Sequence, residues 1–218
     1  MFEEDFLEYL STFRFTGDIY AIPEGTVVFP RESLIKVIAP IMQAQLVETA
    51  LLTIINHQSL IATKASRVVY AAKGDGIMEF GLRRAQGADA GTYGARAAMI
   101  AGCIGTSNVL CGKMFDVPVK GTHAHSWIMS FPDEYTAFKT YAKLYPNACT
   151  LLVDTYDVLK SGVPNAIRVF EEMREEGISL TKYGIRIDSG DLAYLSKEAY
   201  KMLAAAGYDV RVFNVISF

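Results

Sequence analysis

Thr150-Leu151-Leu152-Val153-Asp154 and Tyr183-Gly184-Ile185-Arg186-Ile187-Asp188 are two short apolar runs, each ending in an aspartate. Between them lies a helical pattern with Ile167, Phe170 and Met173 on one face, stopped by Gly177. After the second run, Leu192, Leu195, Ala199, Met202 and Leu203 repeat that spacing up to Gly207, and Val210–Val212 begins another strand. Repeated β-α units predict parallel strands with helices outside, as an open sheet or a barrel. Alternation along the second run puts Ile185 and Ile187 on one face and Arg186 and Asp188 on the other. Buried parallel strands are normally apolar on both faces, so this polar face suits a ligand better than an internal ion pair, which is the alternative. Ligands of parallel α/β folds sit at the carboxyl ends of strands, where Asp154 and Asp188 both lie.

Working towards the N-terminus, Gly121-Thr122-His123-Ala124-His125-Ser126-Trp127 follows the apolar run Val117-Pro118-Val119 and holds two of the three histidines beside the only tryptophan. Two imidazoles on alternate residues suit a site that handles a proton, a metal or a phosphoryl group. Spacing leaves three readings open. The pair chelates a divalent metal, one ring acts as nucleophile or base while the other packs, or backbone carbonyls satisfy both. The helix after Pro132 carries Tyr135, Phe138, Tyr141, Ala142 and Tyr145 on one side, with Ser130 and Asp133 at the spacing of a capping box. Further back, Ile77–Phe80 reads as a strand leading into the small residues Ala95–Met99. A long helix is predicted after Pro40, with Leu46, Ala50, Ile54, His57 and Ile61 aligned on an apolar face that makes His57 a hydrogen-bonded packing residue. A short helix with Phe6, Leu7 and Leu10 comes first, then β-rich runs at Asp18–Ala21, Thr26–Phe29 and Leu34–Ile38.

Composition narrows the function classes. The 218 residues supply ample apolar side chains for a core. A formal charge of −3 without a lysine or arginine run argues against a nucleic-acid surface. No apolar stretch approaches the roughly 20 residues that span a bilayer. The acidic opening Met1-Phe2-Glu3-Glu4-Asp5 does not read as a secretory leader. Cys103, Cys111 and Cys149 lie far apart, which predicts reduced, buried thiols and a cytoplasmic location.

The polar groups at the predicted strand ends suit an anionic small substrate. Arg83 and Arg84 follow Phe80-Gly81-Leu82, and Arg186 adds a third planar donor fork matched to carboxylate or phosphate. Asp154, Asp157, Asp188 and Asp191 suit Mg²⁺ or sugar hydroxyls, while Asp157 and Asp191 read equally well as helix caps. Together these fit phosphorylated-sugar chemistry without naming a reaction.

Five segments in order carry a resemblance to a known family. They are Phe80-Gly81-Leu82-Arg83-Arg84-Ala85-Gln86, Gly105-Thr106-Ser107-Asn108-Val109, Gly121-Thr122-His123-Ala124-His125, Val153-Asp154-Thr155-Tyr156-Asp157 and Arg186-Ile187-Asp188-Ser189-Gly190-Asp191. The chain resembles nicotinate phosphoribosyltransferase, of the type II phosphoribosyltransferase group. The resemblance implies a partial α/β barrel at 73–218, preceded at 1–72 by part of an α/β sandwich domain with its long connecting helix. It implies an enzyme that joins nicotinate to phosphoribosyl pyrophosphate, giving nicotinate mononucleotide and pyrophosphate in NAD biosynthesis. Mg²⁺ and ATP are the implied cofactor and co-substrate, with ATP hydrolysis coupled through a phosphohistidine. A homodimer is expected of the complete protein.

Carried over by residue, the phosphorylated histidine matches His125 and a nicotinate-binding threonine matches Thr122. Phe80 and Arg83 match positions that clamp the pyridine ring, and Arg186 an arginine at the base and ribose site. Asp188 matches an aspartate near the ribose hydroxyls, and Asp154 a neighbouring acidic position. Ser107 stands where nicotinamide-using relatives carry an aspartate. A carboxylate there would repel nicotinate by about 4 kcal/mol at 4 Å and an effective dielectric near 20, whereas a hydroxyl donates to it. The family extends further at both ends, and the stretch from Arg211 to Phe218 departs from its pattern, so a fragment lacking both ends is expected.

Overall fold

The computed structural model describes residues 2–209 and 211–214. Helix α1 (Glu4–Ser11) precedes strands β1 (Asp18–Ala21) and β2 (Ile35–Ile38). These pair antiparallel, with Asp18 opposite Ile38 and Ala21 opposite Ile35. Helix α2 (Ile41–Ala71) runs for 31 residues from Pro40, whose fixed φ suits a helix entrance and whose carbonyl accepts the Ala44 N–H. Strand β3 (Met78–Glu79) crosses over through α3 (Ala88–Ile100) to β4 (Gly105–Thr106), which it pairs in parallel. Helix α4 (Val109–Phe115) begins at Asn108, whose side chain accepts the Cys111 N–H. Next come α5 (His125–Met129), α6 (Glu134–Leu144), β5 (Cys149–Leu152), α7 (Val163–Glu175), β6 (Tyr183–Ile187), α8 (Leu192–Ala205) and β7 (Arg211–Asn214). Strands β5, β6 and β7 lie in that order, all parallel, with Leu152 opposite Arg186 and Ile187 opposite Asn214.

Most of the core lies around this last sheet. Leu151, Leu152, Val153, Ile185 and Ile187 pack with Val163, Val169, Phe170 and Met173 of α7, Ala199 and Leu203 of α8, and Phe138 of α6. Each large apolar side chain fully removed from water contributes about 1.5–3 kcal/mol, which makes this unit the stable centre of the chain. A smaller cluster of Ala65, Ala98 and Cys103, flanked by Ile61 and Val69, joins α2 to α3. Gly177 and Gly207 end α7 and α8 with φ of +73° and +81°, in the left-handed region that glycine enters without a Cβ penalty.

The mixed α/β class and the parallel β-α units stand, and several details are corrected. Among the described residues, β3–β4 and β5–β6–β7 are separate hydrogen-bonded sheets, so the partial barrel is present as two parallel fragments. Thr26–Phe29 forms no strand. β1 pairs with β2 directly, and Val27 and Phe29 are exposed in the connecting loop. Val117–Val119 contributes only a bridge from Val119 to Thr106, and the backbone leads from there as a loop into α5. The capping box at Ser130 is replaced by a simpler cap, with Asp133 Oδ1 accepting the Thr136 N–H at 2.7 Å. The apolar face of α2 is largely open, since Leu46 and Ile54 are exposed and among described residues of that helix only Ala65 is fully buried. His57 is half-buried, with Nε2 3.1 Å from the Ala90 carbonyl. Val210 and residues 215–218 lie outside the described residues.

Candidate functional site

Because β5 and β6 are parallel neighbours, Asp154 and Asp188 emerge side by side at their carboxyl ends. Asp154 accepts three hydrogen bonds. The Asp188 N–H (3.1 Å) and Ser189 Oγ (2.6 Å) donate to its Oδ2, and His125 Nε2 lies 3.2 Å from its Oδ1. Its side chain is 1% exposed while His125 is 34% exposed, so the aspartate is fixed and the ring faces outward. A carboxylate surrounded by donors is an acceptor, so in the neutral ring the proton sits on Nε2 and Nδ1 keeps its lone pair.

Asp188 forms the second half of the site. Its Oδ2 receives Arg186 Nη2 at 3.0 Å and the exposed Arg83 Nη2 at 3.3 Å. Arg186 also donates from Nη1 to Thr122 Oγ1 at 2.6 Å, and its guanidinium carbon lies 5.1 Å from the centre of the Phe80 ring. Burial lowers the pKa of this guanidinium, and Asp188 and Asp154 oppose that shift. An arginine remains charged regardless, so burial strengthens its pull on an anion. The alternation expected in β6 therefore holds, with Ile185 and Ile187 buried in the core and the polar pair turned towards Thr122 and Phe80.

The two histidines separate into different environments. His123 is buried, its Nε2 accepts the Leu152 N–H at 3.3 Å, and its ring meets Tyr141 edge-on at 4.5 Å. The rings therefore do not converge on a common metal, and the reading in which one packs while the other faces outward is the one the geometry supports. Burial drives the His123 pKa from 6.5 down to about 4. The unfolded chain thus takes up a proton at pH values where the folded chain does not. The stability His123 contributes is complete above pH 6.5 and lost as pH falls towards 4, by about 3 kcal/mol in all. Urea denaturation across that window is expected to show this loss, and His123→Gln, which keeps an acceptor for Leu152, should remove that part of the slope.

Phe80 and Ser107 are brought to the same rim by β3 and β4. Glu79, 4% exposed, accepts hydrogen bonds from the Gly81 N–H and from Thr106 Oγ1, while the Ser107 N–H donates to the Glu79 carbonyl at 3.0 Å. Sequence reasoning missed this buried carboxylate, although an acid within Ile77-Met78-Glu79-Phe80 was a readable anomaly. It also missed Ser189 as a donor to Asp154. Asp157 and Asp191 are caps, accepting from Leu159 and Lys160 and from Tyr194 respectively.

Among the described residues no three His, Cys, Asp or Glu side chains gather into a metal cage. Both oxygens of Asp154 and Oδ2 of Asp188 accept from protein donors. Mg²⁺ is usually held by one or two carboxylates together with substrate phosphates, and Asp188 Oδ1, which accepts from no protein donor among the described residues, is the oxygen left for it. Cys149 is fully buried, and burial pushes its thiol up to about 12, which keeps it an inert packing group.

Fold and rim together place two arginines, two aspartates and an outward-facing histidine at the carboxyl ends of parallel strands, the place where parallel α/β folds hold their ligands. The model of the nicotinate phosphoribosyltransferase (NAPRTase) family matches residues 76–213, and that of the NAPRTase N-terminal domain matches residues 1–56. The chain belongs to the nicotinate phosphoribosyltransferase family. A nicotinate phosphoribosyltransferase of Bacillus subtilis is 54% identical over 207 residues, covering 95% of this chain and 41% of that protein. The crystal structure of human nicotinic acid phosphoribosyltransferase superposes with a TM-score of 0.82 at 32% identity, over 94% of this chain and 50% of that one. Nicotinate-nucleotide pyrophosphorylase from Pyrococcus furiosus gives 0.79 at 30% identity, over 92% of this chain and 51% of that one. The chain thus spans about half the length of these relatives, or less.

Proposed function

We propose that this chain carries the base- and ribose-binding rim of a nicotinate phosphoribosyltransferase, joining nicotinate to phosphoribosyl pyrophosphate in NAD biosynthesis with ATP as co-substrate. The single observation that carries the reading is the bonded rim in which Asp188 holds Arg186 over Phe80 while Asp154 holds His125. Phe80 and the Arg186 guanidinium offer a stacking edge for a pyridine ring, and cation–π contacts of this kind contribute up to about 2 kcal/mol when desolvated. Arg83, Arg186 and Thr122 supply donors for the nicotinate carboxylate and for phosphate, and Ser107 supplies a hydroxyl where a carboxylate would repel the acid. The pyridine nitrogen displaces pyrophosphate at the ribose C1, with Asp188 placed to steady developing positive charge on the sugar. Mg²⁺ belongs here to the diphosphate substrate, in keeping with its habit of arriving with substrate phosphates.

A homodimer is part of this reading, and the large apolar side chains that α2 leaves exposed, Ile41, Leu52, Leu60 and Tyr70 among them, are available to such an interface. The free, buried cysteines support a cytoplasmic setting, and no described helix is long and apolar enough to cross a membrane. The test is an assay of nicotinate mononucleotide formation by the purified chain with nicotinate, phosphoribosyl pyrophosphate, Mg²⁺ and ATP. Product is expected. A folded chain that forms none, and that binds neither nicotinate nor phosphoribosyl pyrophosphate by calorimetry, overturns the proposal.

A further inference from the structure

Glu134 is a buried acid that the mechanism above does not use. It is 3% exposed at the first turn of α6. Its Oε2 accepts from Ser161 Oγ at 2.5 Å and from Asn165 Nδ2 at 3.1 Å, and its Oε1 has no protein partner among the described residues. Removing a carboxylate from water is costly, and a surface helix start has no need of one, because Asp133 already caps α6. The group therefore holds something in place.

What it holds follows from the backbone on either side. Ser161 lies in a single π-helical turn, Val158–Gly162, an uncommon geometry that recurs at functional sites. The Asp157 carbonyl closes the turn by accepting the Ser161 and Gly162 N–H groups. Gly162 rests directly on the end of β5, since a Cβ there would come within 2.0 Å of the Val153 carbonyl oxygen. Val153 precedes Asp154. On the other side, α6 follows α5, which begins at His125. Glu134 thus ties the segment that carries His125 to the turn that seats Asp154. The charged and titratable groups facing it are Asp154, whose field adds to the burial that raises its pKa, and the neutral donors Ser161 and Asn165, which oppose that rise.

We infer that Glu134 is a positioning residue for the His125–Asp154 pair, acting through its hydrogen bonds to Ser161 and Asn165. The inference rests on the reading of His125 as the reactive group, but its consequence is visible on the ring without turnover. With Asp154 seated, neutral His125 is held in one tautomer, protonated at Nε2. With the seat loosened, the ring exchanges between tautomers as an exposed histidine does.

The experiment is a long-range ¹H–¹⁵N spectrum of the imidazoles in the 218-residue chain, recorded at alkaline pH. His125→Gln identifies the signals. The wild-type chain should show the single-tautomer pattern at His125, Glu134→Ala should lose it, and Glu134→Gln should restore it, because Gln keeps an acceptor for both donors. Ser161→Ala removes the shorter tie without altering the helix start and should give a smaller loss of the same kind. An unchanged His125 pattern in a folded Glu134→Ala chain overturns the inference, as does failure of Glu134→Gln to restore it. Should Glu134→Ala not fold, an unchanged pattern in Ser161→Ala overturns it equally. A chain that makes no nicotinate mononucleotide yet shows the expected spectra counts against the proposed function and not against this role.

Discussion

His125→Ala is expected to abolish all acid-labile label transferred to the chain from ATP labelled in its γ-phosphate. The expectation comes from the geometry of a single ring. His125 is the outward-facing histidine, and its Nε2 is engaged by Asp154 at 3.2 Å, so Nδ1 keeps its lone pair. In the expected transfer that lone pair would form the bond to the γ-phosphorus, and the bond to the bridging oxygen would break with its electrons leaving on ADP. The positive charge that develops on the imidazole is stabilised by Asp154, a fixed carboxylate already in contact. His123 cannot substitute. It is buried against Tyr141, its Nε2 is occupied by the Leu152 N–H, and burial drives its pKa down to about 4. His123→Gln should therefore keep the label where His125→Ala loses it. Equal acid-labile incorporation into wild type and His125→Ala would refute the assignment.

The parts of this site that local pattern determines were legible in the sequence. The run Tyr183–Asp188 announces a parallel strand, and its period of two places Arg186 and Asp188 together, which the 3.0 Å contact shows. Asp154 and Asp188 at successive strand ends follow from the β-α repeat alone. The two histidines were different. Alternate residues in a strand share a face, whereas His123 and His125 lie in a loop and at a helix start and face different surroundings. Nothing in the spacing distinguishes the ring that packs on Tyr141 from the ring that meets Asp154, because both partners come from distant segments. Glu134 was illegible for a related reason. Its neighbour Asp133 is an exposed cap, and only the approach of the π-helical turn makes one acid of the pair a buried tie. Thr26–Phe29 misled in the opposite sense, since its β propensity falls within the loop that joins β1 to β2, where Val27 and Phe29 are exposed and have no packed surface to lie on.

Gly162→Ala is expected to be strongly destabilising. Gly162 has ordinary helical angles, φ −60° and ψ −55°, so conformational preference alone favours alanine by up to about 1 kcal/mol. Space decides the sign. The added Cβ would lie 2.0 Å from the Val153 carbonyl oxygen and 2.7 Å from its carbonyl carbon. These are backbone atoms of a segment locked between β6 and α7, so no side-chain rotation relieves the clash. Overpacking of this kind costs about 3 kcal/mol at the upper end of its usual range, leaving a net loss of about 2 kcal/mol. For a chain of this size that lowers Tm by roughly 4–8 °C. Gly121→Ala is the control, since a Cβ there meets nothing within 4 Å and its effect should stay within about 0.5 kcal/mol. The damage also has a direction. Val153 must yield, and Asp154 is the next residue, so the chain that survives should lose the single-tautomer signature of His125 as well as stability. A Gly162→Ala chain with an unchanged Tm would show that the turn does not press on β5 and would remove the physical basis for the seat of Asp154.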